Sequence, residues 1–145
     1  MVKTSEASRA YSRNWYAKNR DQVLESNRQR RKKYYHHVWA VATIYNHVRK
    51  DMIVEFDVSW LEAKALSTPC CELCGGELRW EPSGMGRGLH PDTPTLDRLC
   101  NEKILTIDNI MILCNSCNAG KGAQSLDEYI DKCTRIAHKF KVEMI

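Results

Sequence analysis

Two Cys-x-x-Cys pairs, Cys71 to Cys74 and Cys114 to Cys117, constrain the fold of this chain more than any other feature of its sequence. A two-residue spacer lets a tight turn direct both sulfurs at one metal ion, and two such turns supply the four thiolates of a tetrahedral site. Gly75 follows the first pair directly, where such a turn needs an unusual backbone conformation. The sequence therefore predicts a structural zinc site that joins two distant parts of the chain.

The remaining cysteines, Cys70, Cys100 and Cys133, are not needed for this site. Cys70 could replace Cys71, but its spacing to Cys74 is one residue longer and suits the turn less well. A redox dithiol would use a single pair at the start of a helix, so two pairs in one small chain favour metal binding. Four thiolates also close the coordination shell, which leaves zinc a structural role.

The positive charge of the chain is concentrated at its N-terminal end. Residues 1–50 carry 12 basic and 3 acidic side chains, a net charge of +9, whereas the other 95 residues carry 10 basic and 15 acidic ones, a net charge of −5. Tyrosine and tryptophan are interleaved with these cations, as on surfaces that bind nucleic acid. This asymmetry predicts a polyanion, nucleic acid, as a partner, although a solvated charged helix is the competing interpretation. The cations expected to contact DNA are Arg28, Arg30, Arg31, Lys32 and Lys33.

The N-terminal segment is expected to be helical. Residues 11–50 contain no proline or glycine and are rich in good helix formers. Apolar positions resume at helical spacing from Tyr34, so the second half of the segment should pack on the rest of the protein. We therefore predict a basic helical DNA-binding arm over 1–50 and a zinc-bound domain with a C-terminal helix over 51–145.

Short elements are predicted for the rest of the chain. The stretches Ser59–Glu62 and Ser125–Glu128 match the capping box that opens a helix. TLDRL and NIMILC are short apolar segments typical of strands, and the residues between them are expected to form a loop. The expected fold class is small α+β, with a zinc-stabilised core flanked by helices.

The chain lacks the sequence features of membrane and secreted proteins. Its apolar runs are too short to span a bilayer, and its N-terminal residues have no apolar region of a secretory signal. A cytoplasmic location is therefore expected. Cysteines stay reduced in that compartment and bind metal more often than they form disulfides.

A second metal site is predicted between the cysteine pairs. PTLDRL holds Asp97 and Arg98 in an apolar run, where charges are costly unless they are paired or bound. Zinc would clamp this strand, the strand that ends at Cys114 and the helix that follows, on which Asn118 can face the strands. A carboxylate and an amide oxygen suit Mg²⁺ or Mn²⁺. Separate surface ion pairs are the alternative for Asp97 and Arg98.

The segments LDRL and IDNIMILCNSCNAGKG, set between paired zinc knuckles, resemble the HNH, or ββα-metal, endonuclease superfamily, in particular its phage-type members with zinc knuckles. The resemblance covers about residues 56–122 and implies a ββα-metal core that hydrolyses DNA phosphodiester bonds. It implies that Asp97 and Asn118 bind the catalytic metal and that Asn109 fixes the loop between the strands. It also implies that the four paired cysteines bind the structural zinc.

One departure from the family concerns the group that activates water. Arg98 stands where the family commonly has histidine, and arginine keeps its proton at any usable pH. It can instead bind the scissile phosphate, but neighbours in a regular strand face opposite ways, so sharing a site with Asp97 requires a bulge or strand end. We expect His90 to be the base, with metal-bound hydroxide or a tyrosine of the arm as alternatives. Lys121 is expected to contact a DNA phosphate.

The expected function is a divalent-metal-dependent HNH endonuclease that nicks DNA or cuts both strands. Cutting both strands requires a homodimer or two binding events. Two other functions remain open at this point. The chain could be a non-catalytic zinc-containing DNA-binding module with a degenerate motif. It could also be a zinc-clamped protein-interaction domain whose basic arm binds an acidic protein surface.

Overall fold

A computed structural model describes residues 5–82 and 89–140, and these form a small α+β protein with two short sheets. The contacts divide the chain into two compact units, Met1–Tyr34 and Tyr35–Ile145. Among the described residues, no helix combines the length and apolar character needed to cross a membrane. The elements are α1 (Glu6–Lys33), α2 (Tyr35–Val48), β1 (Ile53–Val54), α3 (Val58–Leu66), β2 (Pro94–Arg98), β3 (Ile104–Leu105), β4 (Ile110–Cys114), α4 (Asn115–Lys121) and α5 (Leu126–Lys139).

The first unit consists of α1, a 28-residue helix with no buried residue. Its N-terminus is capped by the Ser5 side chain, which accepts a hydrogen bond from the Ser8 N–H. The helix ends at Tyr34, whose backbone leaves the helical conformation at φ −116° and ψ 36°. The helix expected over 11–50 is therefore two helices, and no proline or glycine marks the break between them.

The core of the second unit is built on the antiparallel pair of β2 and β4. The pairing runs from Pro94 opposite Cys114 to Arg98 opposite Ile110, one residue against one, so the ladder has no bulge. Leu96 and Ile112 are among its buried side chains. The segment between these strands, predicted as loop, contains β3, which pairs in parallel with β1.

Trp39 on α2 ties the helices to the β2–β4 pair. Its side chain is 9% exposed, and its indole N–H donates to the Pro94 carbonyl over 2.9 Å. Its ring also contacts Trp80 edge to face, with 5.1 Å between centroids. Leu61 and Ala65 are the buried residues of α3, which packs against α2. The expected packing of the second half of the N-terminal segment is thus confirmed.

The two predicted capping boxes have different outcomes. At α5 the box is present, because the Ser125 Oγ accepts from the Glu128 N–H and the Glu128 carboxylate accepts from the Ser125 N–H. Hydrogen bonding of the Glu128 carboxylate with the Ser125 backbone, and then with the Ser125 side chain, lowers the pKa of Glu128. The prediction at Ser59–Glu62 is wrong, since α3 starts earlier. Asp57 is its cap and accepts from the Trp60 N–H over 2.8 Å.

Replacing Trp39 by Phe should lower the free energy of unfolding by about 1–3 kcal/mol, because the Pro94 carbonyl loses its buried donor. Urea denaturation measures the change. The matched control is Trp15→Phe, on a side chain that is 50% exposed on α1. It should change stability by less than about 0.5 kcal/mol. Equal losses in the two variants would contradict the role given to Trp39.

Candidate functional site

The four cysteines of the two Cys-x-x-Cys pairs converge in the structure. The Sγ atoms of Cys71, Cys74, Cys114 and Cys117 all lie within 4.8 Å of one another. The Sγ atoms of Cys74 and Cys114 are 4.0 Å apart. Zinc–sulfur bonds of about 2.3 Å would hold tetrahedral sulfurs ~3.8 Å apart, so the group has the spacing that zinc needs. It can hold a metal ion, and its four-thiolate donor set is that of structural zinc sites.

Local backbone geometry aims the sulfurs of each pair. In the first turn, the Gly75 N–H donates to the Cys71 carbonyl over 2.9 Å, and the Cys71 N–H donates to the Gly76 carbonyl over 2.8 Å. Gly75 has φ +73°, so the expected unusual conformation is confirmed. In the second, Cys114 is the N-cap of α4, and its sulfur accepts from the Cys117 N–H. A strand end and a helix start therefore supply two of the ligands.

Crowding and burial shift the thiol pKa values of the group. Burial raises the pKa of Cys114 and of Cys117. Burial acts in the same direction on Cys71, but hydrogen bonds from the backbone at Cys74, Cys114 and Leu73 oppose it and lower its pKa to about 7. The raised pKa values of Cys114 and Cys117 disfavour their thiolates. A divalent cation supplies the charge that stabilises all four thiolates.

Glu72, which the sequence analysis did not single out, fastens the first turn to β4. Its N–H donates to the Ile112 carbonyl over 3.0 Å, and its carboxylate accepts from the Ile112 N–H. Lys64 pairs with the same carboxylate, with 2.7 Å between Nζ and Oε1. In the sequence, the one indication of this role is that Glu72 lies between Cys71 and Cys74, in CELC. Glu72 covers the edge of β4 that does not pair with β2.

Asp97 lies on β2 and forms a nearly buried ion pair with Lys121, the last residue of α4. The Lys121 Nζ lies 2.9 Å from the Asp97 Oδ2, and the two side chains are 4% and 11% exposed respectively. The approach does not meet hydrogen-bond geometry, so this Oδ2 has no hydrogen-bond partner within 5–82 and 89–140. Lys121 was expected at a DNA phosphate. Its ammonium instead faces Asp97, because α4 packs across β2.

Asn118 lies three residues before Lys121 on α4, and residues at this spacing share a helix face. That face includes the contact with Asp97. The Asn118 side chain is half-buried, and its amide makes no hydrogen bond to another described residue. Its backbone carbonyl accepts from the Gly122 N–H at the end of the helix. α4 therefore carries an amide and an ammonium three residues apart, and the ammonium meets Asp97 on β2.

Arg98 is not brought to the same side as Asp97. The two residues are consecutive in a ladder without a bulge, so their side chains leave opposite faces of β2. The Arg98 guanidinium donates to the Glu102 carbonyl over 2.6 Å. Its contact in the structure is thus with the loop after β2, which it holds against the end of the strand.

His90 lies in the loop before β2, and its ring is exposed. Its Nδ1 is 3.5 Å from the Asp92 carboxylate and accepts weakly from the Asp92 N–H at 3.3 Å. The next residue, Pro91, anchors this loop to the start of α4, because its carbonyl accepts from the Ser116 N–H over 2.9 Å. The described polar contacts of the ring are with Asp92, and Asp97 is not among them.

Asn109 holds the loop between β2 and β4. Its Oδ1 accepts from the Cys100 N–H over 2.8 Å, and its Nδ2 donates to the Ile104 carbonyl over 3.3 Å. Its own carbonyl accepts from the Leu99 N–H. These are backbone hydrogen bonds of the kind that the resemblance implied for this position.

The five cations of the N-terminal arm that were predicted to bind DNA are all exposed on α1. Arg28 forms an ion pair with Glu25 over 3.1 Å. Large aromatic side chains nearer the start of the helix are exposed as well, with Tyr11 72% and Trp15 50% accessible. The other predicted cations of this group are Arg30, Arg31, Lys32 and Lys33.

The candidate site therefore has two parts in the second unit, a four-cysteine group and a buried carboxylate. Comparisons with protein-family models, with curated proteins and with solved structures return no match for the chain. Within the described ranges, Cys114 and Cys117 belong to the first part, and Asp97 meets α4 in the second. The elements β4 and α4 connect the two parts directly.

Replacing Cys74 by Ser should remove bound zinc and lower the thermal midpoint by more than about 10 °C, because one lost thiolate opens the site. Zinc content by mass spectrometry and melting by circular dichroism measure both effects. The control is Cys70→Ser, beside the group but outside it. Zinc retained after Cys74→Ser, or lost after Cys70→Ser, would contradict the ligand set.

Proposed function

We propose that this chain is a divalent-metal-dependent endonuclease of the HNH, or ββα-metal, type that hydrolyses DNA phosphodiester bonds. The observation that carries the proposal is the Asp97 carboxylate. Its Oδ2 is buried without a hydrogen-bond partner among the described residues, and it faces the helix that follows a cysteine pair. A buried carboxylate oxygen of this kind is costly unless a cation compensates its charge.

The residues around Asp97 fit a hard divalent cation. Asp97 would hold it through a carboxylate oxygen and Asn118 through its amide oxygen, and both are ligands that Mg²⁺ and Mn²⁺ prefer. When bound, such a cation supplies charge stabilisation for the phosphate and the departing oxygen. The chain's own contribution is to keep both oxygens on one side of β2, since α4 packs against that strand.

The four-cysteine group supports the same proposal from the other end of α4. Asn118 directly follows Cys117, and β4 ends at Cys114. Zinc at this group would therefore fix the angle at which α4 leaves β4, and with it the distance of Asn118 from β2. Zinc at the four-cysteine group would have a structural role, because four thiolates leave no coordination position for substrate.

The charge and shape of α1 support DNA as the substrate. At 1.5 Å per residue, its 28 residues extend about 42 Å, and none of them is buried. Exposed cations surround its C-terminal end, where they can contact phosphates. Exposed Tyr11 and Trp15 offer rings on which bases can stack.

Water activation is proposed for His90, on the loop that Pro91 anchors to the start of α4. Asp92 lies against its ring and can orient it. Arg98 has no part in the proposed site, because its guanidinium is engaged by the Glu102 carbonyl.

A second candidate function is a non-catalytic zinc-containing DNA-binding module. The observation in its favour is that Lys121 already compensates the charge of Asp97. An ion pair of this kind is what a degenerate metal site would retain.

Plasmid nicking separates the two functions. Zinc-loaded protein with Mg²⁺ or Mn²⁺ should nick supercoiled DNA, and Asp97→Asn should slow nicking at least about 100-fold, because the carboxylate ligand is lost. The control is Asp108→Asn, an exposed acid in the loop before β4, which should nick as the wild type does. Nicking by Asp97→Asn at the wild-type rate would refute the proposal. If the wild type binds DNA without nicking it, the second candidate is favoured.

His90→Ala should slow nicking by about 100-fold or more while leaving DNA affinity unchanged, because general-base catalysis contributes that much. The matched control is His138→Ala, on an exposed histidine of α5. Nicking rates at saturating DNA measure the difference. If His90→Ala nicks at the wild-type rate, the base is another group.

Neutralising the C-terminal end of α1 should weaken DNA binding and its dependence on salt. Replacing four cations by Gln should reduce the slope of log K against log salt concentration by about 3 to 4, since each phosphate contact contributes about 0.9. Fluorescence anisotropy across a salt series measures the slope. The four cations are Arg30, Arg31, Lys32 and Lys33.

The control for this variant replaces four exposed cations of the second unit by Gln, so that it loses the same charge. It should leave the slope within about 1 of the wild type, because it removes no arm contact. Equal reductions in the two variants would contradict the role of α1. The replaced cations are Lys103, Lys132, Arg135 and Lys139, all exposed.

A further inference from the structure

We propose that Lys121 is an internal counter-ion of Asp97 that a divalent metal displaces when it binds. The inference rests on the proposed metal site and adds its regulation. The Lys121 Nζ occupies the approach to the Oδ2 of Asp97, the oxygen that the proposed metal would use. Metal binding is then an exchange of one cation for another at this atom.

The burial of Lys121 sets it apart from the other cations. Its side chain is 4% exposed, and it is the only buried lysine or arginine in the ranges 5–82 and 89–140. An ammonium is seldom buried without a partner, so Asp97 and Lys121 each keep the other's charge compensated. A metal that binds Asp97 would therefore take the place of a counter-ion that the fold itself supplies.

Two cations at the Oδ2 of Asp97 would repel each other strongly. A metal ion lies about 2.1 Å from a ligand oxygen, and the Lys121 Nζ lies 2.9 Å from the same atom, so the two would be at most ~5 Å apart. With both side chains almost excluded from solvent, little water screens this repulsion. The ammonium must move away for the metal to bind.

Lys121 lies at the end of its helix. It is the last residue of α4, and Gly122 follows with φ +58°, so the helix does not continue beyond it. Because the Lys121 side chain is only 4% exposed, moving the ammonium away from Asp97 requires its flexible aliphatic stem to change conformation. Exchange makes metal binding weaker than the oxygen ligands alone would give, since part of their affinity is used to release Lys121.

Amine labelling of the wild type detects this movement directly. The probe is Mn²⁺ alone, added to the zinc-loaded full chain, with an amine-reactive ester and peptide mass spectrometry. Lys121 should react about tenfold more slowly than exposed Lys132 without Mn²⁺, because it is protected by burial. Mn²⁺ should raise the rate at Lys121 and leave Lys132 unchanged. An unchanged rate at Lys121 with Mn²⁺ bound would overturn the exchange.

Mn²⁺ affinity of a Lys121→Met variant is the second test. Without the competing ammonium, Mn²⁺ should bind about tenfold more tightly than to the wild type, as measured by electron paramagnetic resonance of the free ion. Lys132→Met is the matched control and should bind as the wild type does. Equal or weaker binding by Lys121→Met would overturn the proposal. If Lys121→Met does not fold, the same Mn²⁺ affinity is measured on Lys121→Gln, and the labelling rates of the wild type test the exchange independently.

Adding Asp97→Asn separates failure of this inference from failure of the proposed function. Mn²⁺ binding that Asp97→Asn abolishes, but that Lys121→Met leaves unchanged, overturns the exchange and keeps the metal site. No Mn²⁺ binding dependent on Asp97, in the wild type or in Lys121→Met, overturns the metal site and the proposed nuclease with it. Tighter binding by Lys121→Met together with no plasmid nicking supports the exchange and refutes the nuclease.

Discussion

The convergence of four cysteine sulfurs is the constraint on which the rest of the second unit depends. It brings a turn at Cys71 against the end of β4 at Cys114, two parts of the chain that are more than 40 residues apart in sequence. Glu72 adds hydrogen bonds to Ile112 at the free edge of the same strand. A thiolate-bound metal holds such a junction more strongly than apolar contacts can in a unit with few fully buried large side chains.

Because α4 starts within this junction, the position of its side chains follows from the cysteine group. The N-cap of the helix is Cys114 itself, and Asn118 and Lys121 follow on the same helix. The Lys121 ammonium compensates the charge of Asp97 on β2. The four-cysteine group, which can hold a metal ion, and the Asp97–Lys121 ion pair are thus connected through a helix of seven residues.

Local patterns in the sequence predicted the features that depend on neighbouring residues. The Cys-x-x-Cys spacing, the glycine turn at Gly75 and the cap at Ser125 each involve residues only a few positions apart. The break at Tyr34 was missed because the segment is rich in helix formers without proline or glycine. At α3, two cap residues were available two positions apart, and Asp57 starts the helix before Ser59 can.

Features that depend on distant contacts could not be predicted in this way. The parallel pairing of β1 with β3 joins two segments of two residues each, too short to show a period. The burial of Lys121 depends on the crossing of α4 over β2, and a lysine beside glycines otherwise suggests a surface position. The Arg98 side chain leaves β2 on the face opposite Asp97 because the ladder has no bulge, and no residue type in PTLDRL indicates this.

The central claim is that the zinc-clamped helix and β2 form one divalent-metal site at Asp97. Anomalous diffraction from crystals of the zinc-loaded chain grown with Mn²⁺ tests it most directly. The account predicts zinc among the four cysteine sulfurs and a manganese peak about 2.2 Å from the Asp97 carboxylate, with the Lys121 ammonium moved away. Zinc at the cysteines with no manganese at Asp97, and the Lys121 Nζ still against its Oδ2, would contradict it.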